Sequence, residues 1–94
     1  MNTHFRKATH VDADGFDGDL ILMNLQTRQV LVLNETANIL WTAIDLVDSR
    51  NGLLDLLREA MPGKDMPQLE SSLDGVLKAW LAGGFLEARP SNSA

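Results

Sequence analysis

At Asn34 the apolar periodicity of the chain changes. Before it, apolar residues run in short stretches bounded by Asp, Gly, Asn and Gln; after it they recur every three or four residues as far as Ala82. A strand-like first third followed by a helical remainder segregates the two kinds of element, so the pattern specifies an α+β fold rather than an alternating α/β one. The chain has 94 residues, enough for one domain with a single thin core. We read residues 1–94 as that one domain, with an ordered core over about 4–87 and a flexible polar tail over 88–94, ARPSNSA.

Three strands are expected at the start. Phe5, Ala8 and Val11 alternate roughly with polar residues, giving a weak strand within 4–11. Residues 12–19, DADGFDGD, concentrate Asp and Gly and read as a loop. Asp19–Leu25 and Gln29–Leu33 are rich in branched and large apolar residues, and Gln26, Thr27 and Arg28 between them suit an antiparallel hairpin with a three-residue loop. In Gln29–Leu33, Leu31 and Leu33 take one face and Val30 and Val32 the other, so both faces are apolar. An antiparallel sheet with one wet face does not have that pattern, so a second element or a partner must cover the other side.

Three helices are expected next. The first spans about Glu35–Val47, with Asn34 as N-cap, Glu35 complementing the helix dipole, and Ala37, Leu40, Trp41, Ile44 and Val47 on one stripe. The second spans about Gly52–Met61 and stops at Pro62-Gly63. The third spans about Pro67–Ala82, with Leu69, Leu73, Val76, Leu77 and Trp80 as its apolar stripe. With Gly84 at C′, Phe85 and Trp80 take the C″ and C3 positions that touch in a Schellman cap, so Phe85 and Leu86 close the core. Three helices on a small sheet form a winged-helix-turn-helix-like arrangement.

Chemistry is scarce. The chain has no Cys and no Tyr, and its two His residues, His4 and His10, lie in the first ten positions. No nucleophile–base set is in view, and disulfides and Cys-ligated metals are excluded, so we expect no enzyme, no metal and no cofactor. The lack of cysteine fits a reducing, cytoplasmic setting. Asp12, Asp14, Asp17 and Asp19 resemble a calcium loop only in composition, because counting from Asp12 puts Phe16 and Met23 where ligands are required. Apolar runs are too short to span a membrane, and MNTHFRK is not followed by the apolar segment of a signal peptide. The net charge is −5, with Lys and Arg scattered and the third helix carrying Lys78 against Glu70 and Asp74. That balance disfavours nucleic acid, although a winged-helix DNA-binding regulator is the rival reading of the fold. It also suggests basic residues in a protein or peptide partner.

What remains is a surface for a peptide. Gln29–Leu33 is a candidate sheet edge, able to accept an added strand. Ser72, Gly75 and Ala79 line one flank of the third helix with small residues; Gly75 reflects either tight helix packing or room for another backbone. A homodimer through the same edge is a further possibility.

Leu20–Asn24, Gln29–Leu33 and then LNETANILW, ending in Leu81-Ala82-Gly83-Gly84-Phe85-Leu86, resemble the PqqD-like family over roughly residues 8–87. These are the recognition elements of ribosomally made, post-translationally modified peptide pathways. The chain departs from the family at 47–52, VDSRNG, where members often carry a Gly and a Thr-Val pair. The resemblance implies three strands and three helices, no catalysis, and binding of a precursor leader peptide for delivery to a modifying enzyme such as a radical SAM protein, a leader peptidase or a cyclodehydratase. It implies that the leader adds as a strand beside Gln29, Val30, Leu31 and Val32 and lies against the third helix, where Leu69, Ser72, Leu73, Gly75, Val76, Ala79 and Trp80 are the candidate contacts. Leu33, Asn34 and Trp41 match the motif and belong to cap and core.

Overall fold

A computed structural model describes residues 3–17 and 19–90. In chain order it contains β1 (Thr3–Lys7), β2 (Val11–Phe16), β3 (Asp19–Asn24), β4 (Val30–Leu33), α1 (Glu35–Ala43), α2 (Arg50–Ala60), α3 (Met66–Ala82) and β5 (Leu86–Pro90). Strands precede three helices in an α+β, winged-helix-like arrangement, as expected. The strands differ from the expectation: β2, β3 and β4 form one antiparallel sheet, and β1 pairs with β5 in a second.

Two departures have clear causes. Residues 11–16 are strand, not loop: β2 pairs with β3 from Val11↔Asn24 to Phe16↔Asp19, leaving only residues 17 and 18 to connect them. Asp17 has φ 53°, and Asp-Gly is the residue pair that two-residue hairpin turns demand. The strand escapes notice in the sequence because Asp12 and Asp14 occupy exposed positions on it and imitate turn composition. The second departure joins the two ends. Residues 88–90, assigned to a frayed tail, belong to β5, while 91–94 lie outside the described residues. Pairing with β1 holds them: Phe5 lies opposite Ala88, and Arg6 opposite Glu87, whose side chains form a 2.7 Å ion pair.

The helices follow local chemistry. Asn34 Oδ1 accepts from the Ala37 amide at 2.9 Å and starts α1 as expected. α1 ends at Ala43 rather than Val47, and Ser49 then caps α2 by accepting from the Gly52 amide at 3.1 Å. At the end of α3, Gly84 has φ 76°, and the Phe85 amide donates to the Trp80 carbonyl at 2.8 Å, the expected Schellman closure. Phe85 and Leu86 are buried. Trp41 of α1 and Trp80 of α3 meet edge to face at the centre of the core, with ring centroids 5.3 Å apart. Lys7 of β1 lies over the Trp41 ring at 4.7 Å while its ammonium pairs with Asp45 at 2.6 Å.

One buried polar side chain joins the sheet to the helices. Asn24, the last residue of β3, is 1% exposed. Its Nδ2 donates to the Gly83 carbonyl at 2.8 Å, and its Oδ1 accepts from the Gln26 and Thr27 amides at 2.9 and 3.2 Å. The β3–β4 turn, in which Arg28 adopts φ 63°, is thereby fastened to the C-terminus of α3. His10 supports the same junction: its Nε2 donates to the Gly84 carbonyl at 3.0 Å, and its carbonyl accepts from the Leu25 amide at 2.8 Å. Gly84 is required there twice over, by its positive φ and because a Cβ would lie 2.9 Å from Asn24 Nδ2. Asn24→Ala removes these bonds from the half-buried Gly83 carbonyl and the turn amides and leaves a gap where the buried carboxamide stood. Urea unfolding should show a loss of about 2–4 kcal/mol.

Candidate functional site

β4 is an edge strand: among the described residues it pairs with β3 on one side and with no strand on the other. Its hydrogen-bonding parity follows from the turn. The Asn24 amide donates to the Gln29 carbonyl at 2.8 Å, so Asn24 and Gln29 form a hydrogen-bonded pair. Antiparallel pairs alternate, so in the register Met23↔Val30, Leu22↔Leu31, Ile21↔Val32, Leu20↔Leu33 the main chain of Leu31 and Leu33 faces β3. The amides and carbonyls of Val30 and Val32 therefore point away from the sheet. An extended segment can add there through main-chain bonds.

Side chains alternate in the other sense. Leu33 is buried and Leu31 half-buried, both toward the helices. Val30 and Val32 are 49% and 64% exposed on the opposite face, beside Ile21 and Met23. What they offer to an added strand is main chain.

Two contacts place the ends of β4 relative to α3. The β3–β4 turn is fastened to Gly83 at its C-terminus. At the other end of β4, Thr36 shares a cleft of about 290 Å³ with Leu69 and Ser72 in the first half of α3. With its two ends placed at opposite ends of α3, β4 runs antiparallel to the helix. Helical spacing divides the predicted α3 contacts into two sets. Leu69, Leu73 and Trp80 are 2%, 0% and 2% exposed and belong to the core; of the three, Leu69 also lines the cleft beside Thr36. Ser72, Gly75 and Ala79 are exposed, and Val76 is half-buried beside them. Leu31 of β4 and Val76 of α3 are both half-buried and pack against the same core. Gln29, exposed, stands at the turn end.

The sequence reading missed the polar cleft, whose lining also includes Met61, Lys64, Gln68 and Ser71. Three separate helix ends build it, and no local pattern announces such a meeting. On the other flank of α3, Asp74 is held by Arg50 through bonds of 2.7 and 2.9 Å. Hydrogen bonding to the guanidinium holds the Asp74 carboxyl below its ordinary range and raises Arg50. The acidic flank of α3 is therefore tied to α2, away from β4. Among the described residues no cluster of three His, Cys, Asp or Glu side chains is placed to hold a metal ion, and no helix is long and apolar enough to cross a membrane.

Gly75 decides between the two explanations for a glycine inside a helix. A Cβ built there meets nothing within 4 Å, so helix packing does not demand it. Gly75→Ala should stabilise the protein by about 0.5–1 kcal/mol, the ordinary helix-propensity gain, in thermal or urea unfolding. A loss of stability on this substitution would contradict the open flank.

No protein-family model and no curated protein matches the chain. Two solved structures share its fold. One is TbiB1 in complex with the TbiA(beta) leader peptide: the TM-score is 0.75 and the identity 22%, over 87% of this chain and 94% of that one. The other is a lasso peptide synthetase B1 complexed with the leader peptide: the TM-score is 0.73 and the identity 14%, over 93% of this chain and 99% of that one. At these identities the likeness is one of fold, extending over nearly the whole of each molecule.

Proposed function

We propose that this protein binds the leader segment of a ribosomally made precursor peptide as an added strand along β4, and presents the peptide to a separate modifying enzyme without itself catalysing a reaction. The outward-facing amides and carbonyls of Val30 and Val32, together with a helix flank kept small by Ser72, Gly75 and Ala79, carry this reading. The two proteins of the same fold were each solved with a leader peptide bound, which supports it. So does the PqqD-like motif from Leu33 to Trp41. The partners are then a leader peptide and a peptide-modifying enzyme; a radical SAM protein, a leader peptidase and a cyclodehydratase are the classes to try.

Magnitudes require apolar contacts as well as main-chain bonds. Each main-chain hydrogen bond nets about 0.5–1.5 kcal/mol, and association costs on the order of 4–15 kcal/mol. Micromolar affinity, about −8 kcal/mol, therefore needs several buried apolar side chains at about 1.5–3 kcal/mol each. Leu31 and Val76 are where such side chains of the peptide would bury. The DNA-binding rival lacks comparable support, since the exposed acids of α3 and the aspartates of β2 would repel phosphate.

Titration of the labelled protein with synthetic leader peptides should move the NMR signals of residues 29–33 and 72–79. Shifts confined to Asp12–Asp19, or none with any leader, would count against strand addition. A second expectation concerns Val32→Pro. The lost amide faces outward, so circular dichroism should stay near that of the unsubstituted protein while leader affinity falls about tenfold. Unfolding on this substitution would place Val32 inside a sheet and refute the edge.

A further inference from the structure

The polar cleft at the exit of β4 carries one ionisable group. Lys64 sits on its rim, together with Thr36, Gln68 and Ser72. Met61 and Leu69 supply its apolar floor. The backbone at Lys64 is fixed, because its amide donates to the Met61 carbonyl at 3.2 Å. Arg6, Lys7, Arg50 and Arg58 each have a carboxylate partner; Arg28, Lys64, Lys78 and Arg89 enter none of the ion pairs among the described residues, and of these Lys64 is the one that lines the cleft. The Thr36 hydroxyl donates to Met61 Sδ at 3.5 Å, which leaves Gln68, Ser71, Ser72 and Lys64 as the donors facing the cleft. On a chain of net charge −5, a donor-lined cleft with a single unneutralised cation is a local exception.

We infer that this cleft is a subsite for an acidic side chain of the bound peptide, glutamate better than aspartate. The carboxylate would meet Lys64 and the neutral donors, and the methylene stem would lie over Met61 and Leu69. The inference rests on the leader-binding reading and adds a position to it. A segment pairing antiparallel with β4 begins opposite Leu33, and Thr36 lies three residues beyond Leu33. The acidic residue therefore precedes the segment that pairs with Val30 and Val32. This reverses the inference from net charge for the peptide: any basic character is left to the enzyme.

The test is a displayed library of precursor leader sequences selected against the unsubstituted protein, Lys64→Met and Lys64→Glu. The unsubstituted protein should enrich Glu at one position N-terminal to the apolar stretch. Lys64→Met should lose that preference, and Lys64→Glu should replace it with Lys or Arg. For the best synthetic leader, exchanging that Glu for Lys should weaken binding about three- to tenfold on the unsubstituted protein and be compensated on Lys64→Glu, with the difference shrinking as salt rises. Amide fingerprint spectra of the variants check that the fold is kept. If all three proteins select the same sequences, the subsite is refuted while leader binding stands. If none retains a leader, both fall. Val32→Pro separates the two effects, since it should weaken all leaders whatever their charge.

Discussion

Asn24 holds the molecule in the shape its proposed function requires. Three elements that could otherwise drift apart meet at one buried carboxamide: the β3–β4 turn, the end of α3, and through His10 the approach to β2. A buried amide is costly when unmatched and stabilising when every bond is made. Here both ends of the group are used, and no buried side-chain nitrogen or oxygen among the described residues lacks a partner. The consequence is geometric. With its turn fixed to the C-terminus of α3 and its exit running into α1, β4 has a set direction relative to the helix, so its free edge is in place before any ligand arrives. Preorganisation of this kind lowers the cost of ordering on binding.

The core beneath that edge separates support from access. Leu69, Leu73 and Trp80 fill the interior, and Trp80 packs on Trp41. One turn of rotation away, Ser72, Gly75 and Ala79 present little beyond backbone. A helix with large residues inward and small ones along one flank fills its own core without filling the space beside it. The paired acid Asp74 lies on the other flank, where Arg50 ties it to α2. Charge, packing and open space are thus divided among three faces of one helix.

Much of this was legible from local chemistry. The cap at Asn34, the glycine closure at Gly84 and the apolar stripes of the helices depend on residues within five positions of one another, and each is where the spacing put it. The double-apolar strand with a free edge was also visible. The parts that escaped depend on distant partners. β5 is strand because β1, more than eighty positions earlier, pairs with it; the Arg6–Glu87 bond spans 81 positions. β2 was hidden by Asp12 and Asp14, which the turn-forming reputation of aspartate assigned to a loop although they stand on an exposed face. Leu73 and Trp80, expected as contacts, are core residues, because an apolar stripe on a helix is first of all core. Nothing in the sequence near Asn24 marks it as a junction, because its partner is the carbonyl of Gly83.

The pairing of β1 with β5 has a mechanical consequence. Thr3 stands opposite Pro90, so the described chain starts and finishes on neighbouring strands of the smaller sheet. Polypeptide appended at either terminus would leave through that common doorway, not through the sheet that carries β4. Tethers at the two ends are thereby geometrically interchangeable, and a pull on either is borne first by the same short ladder.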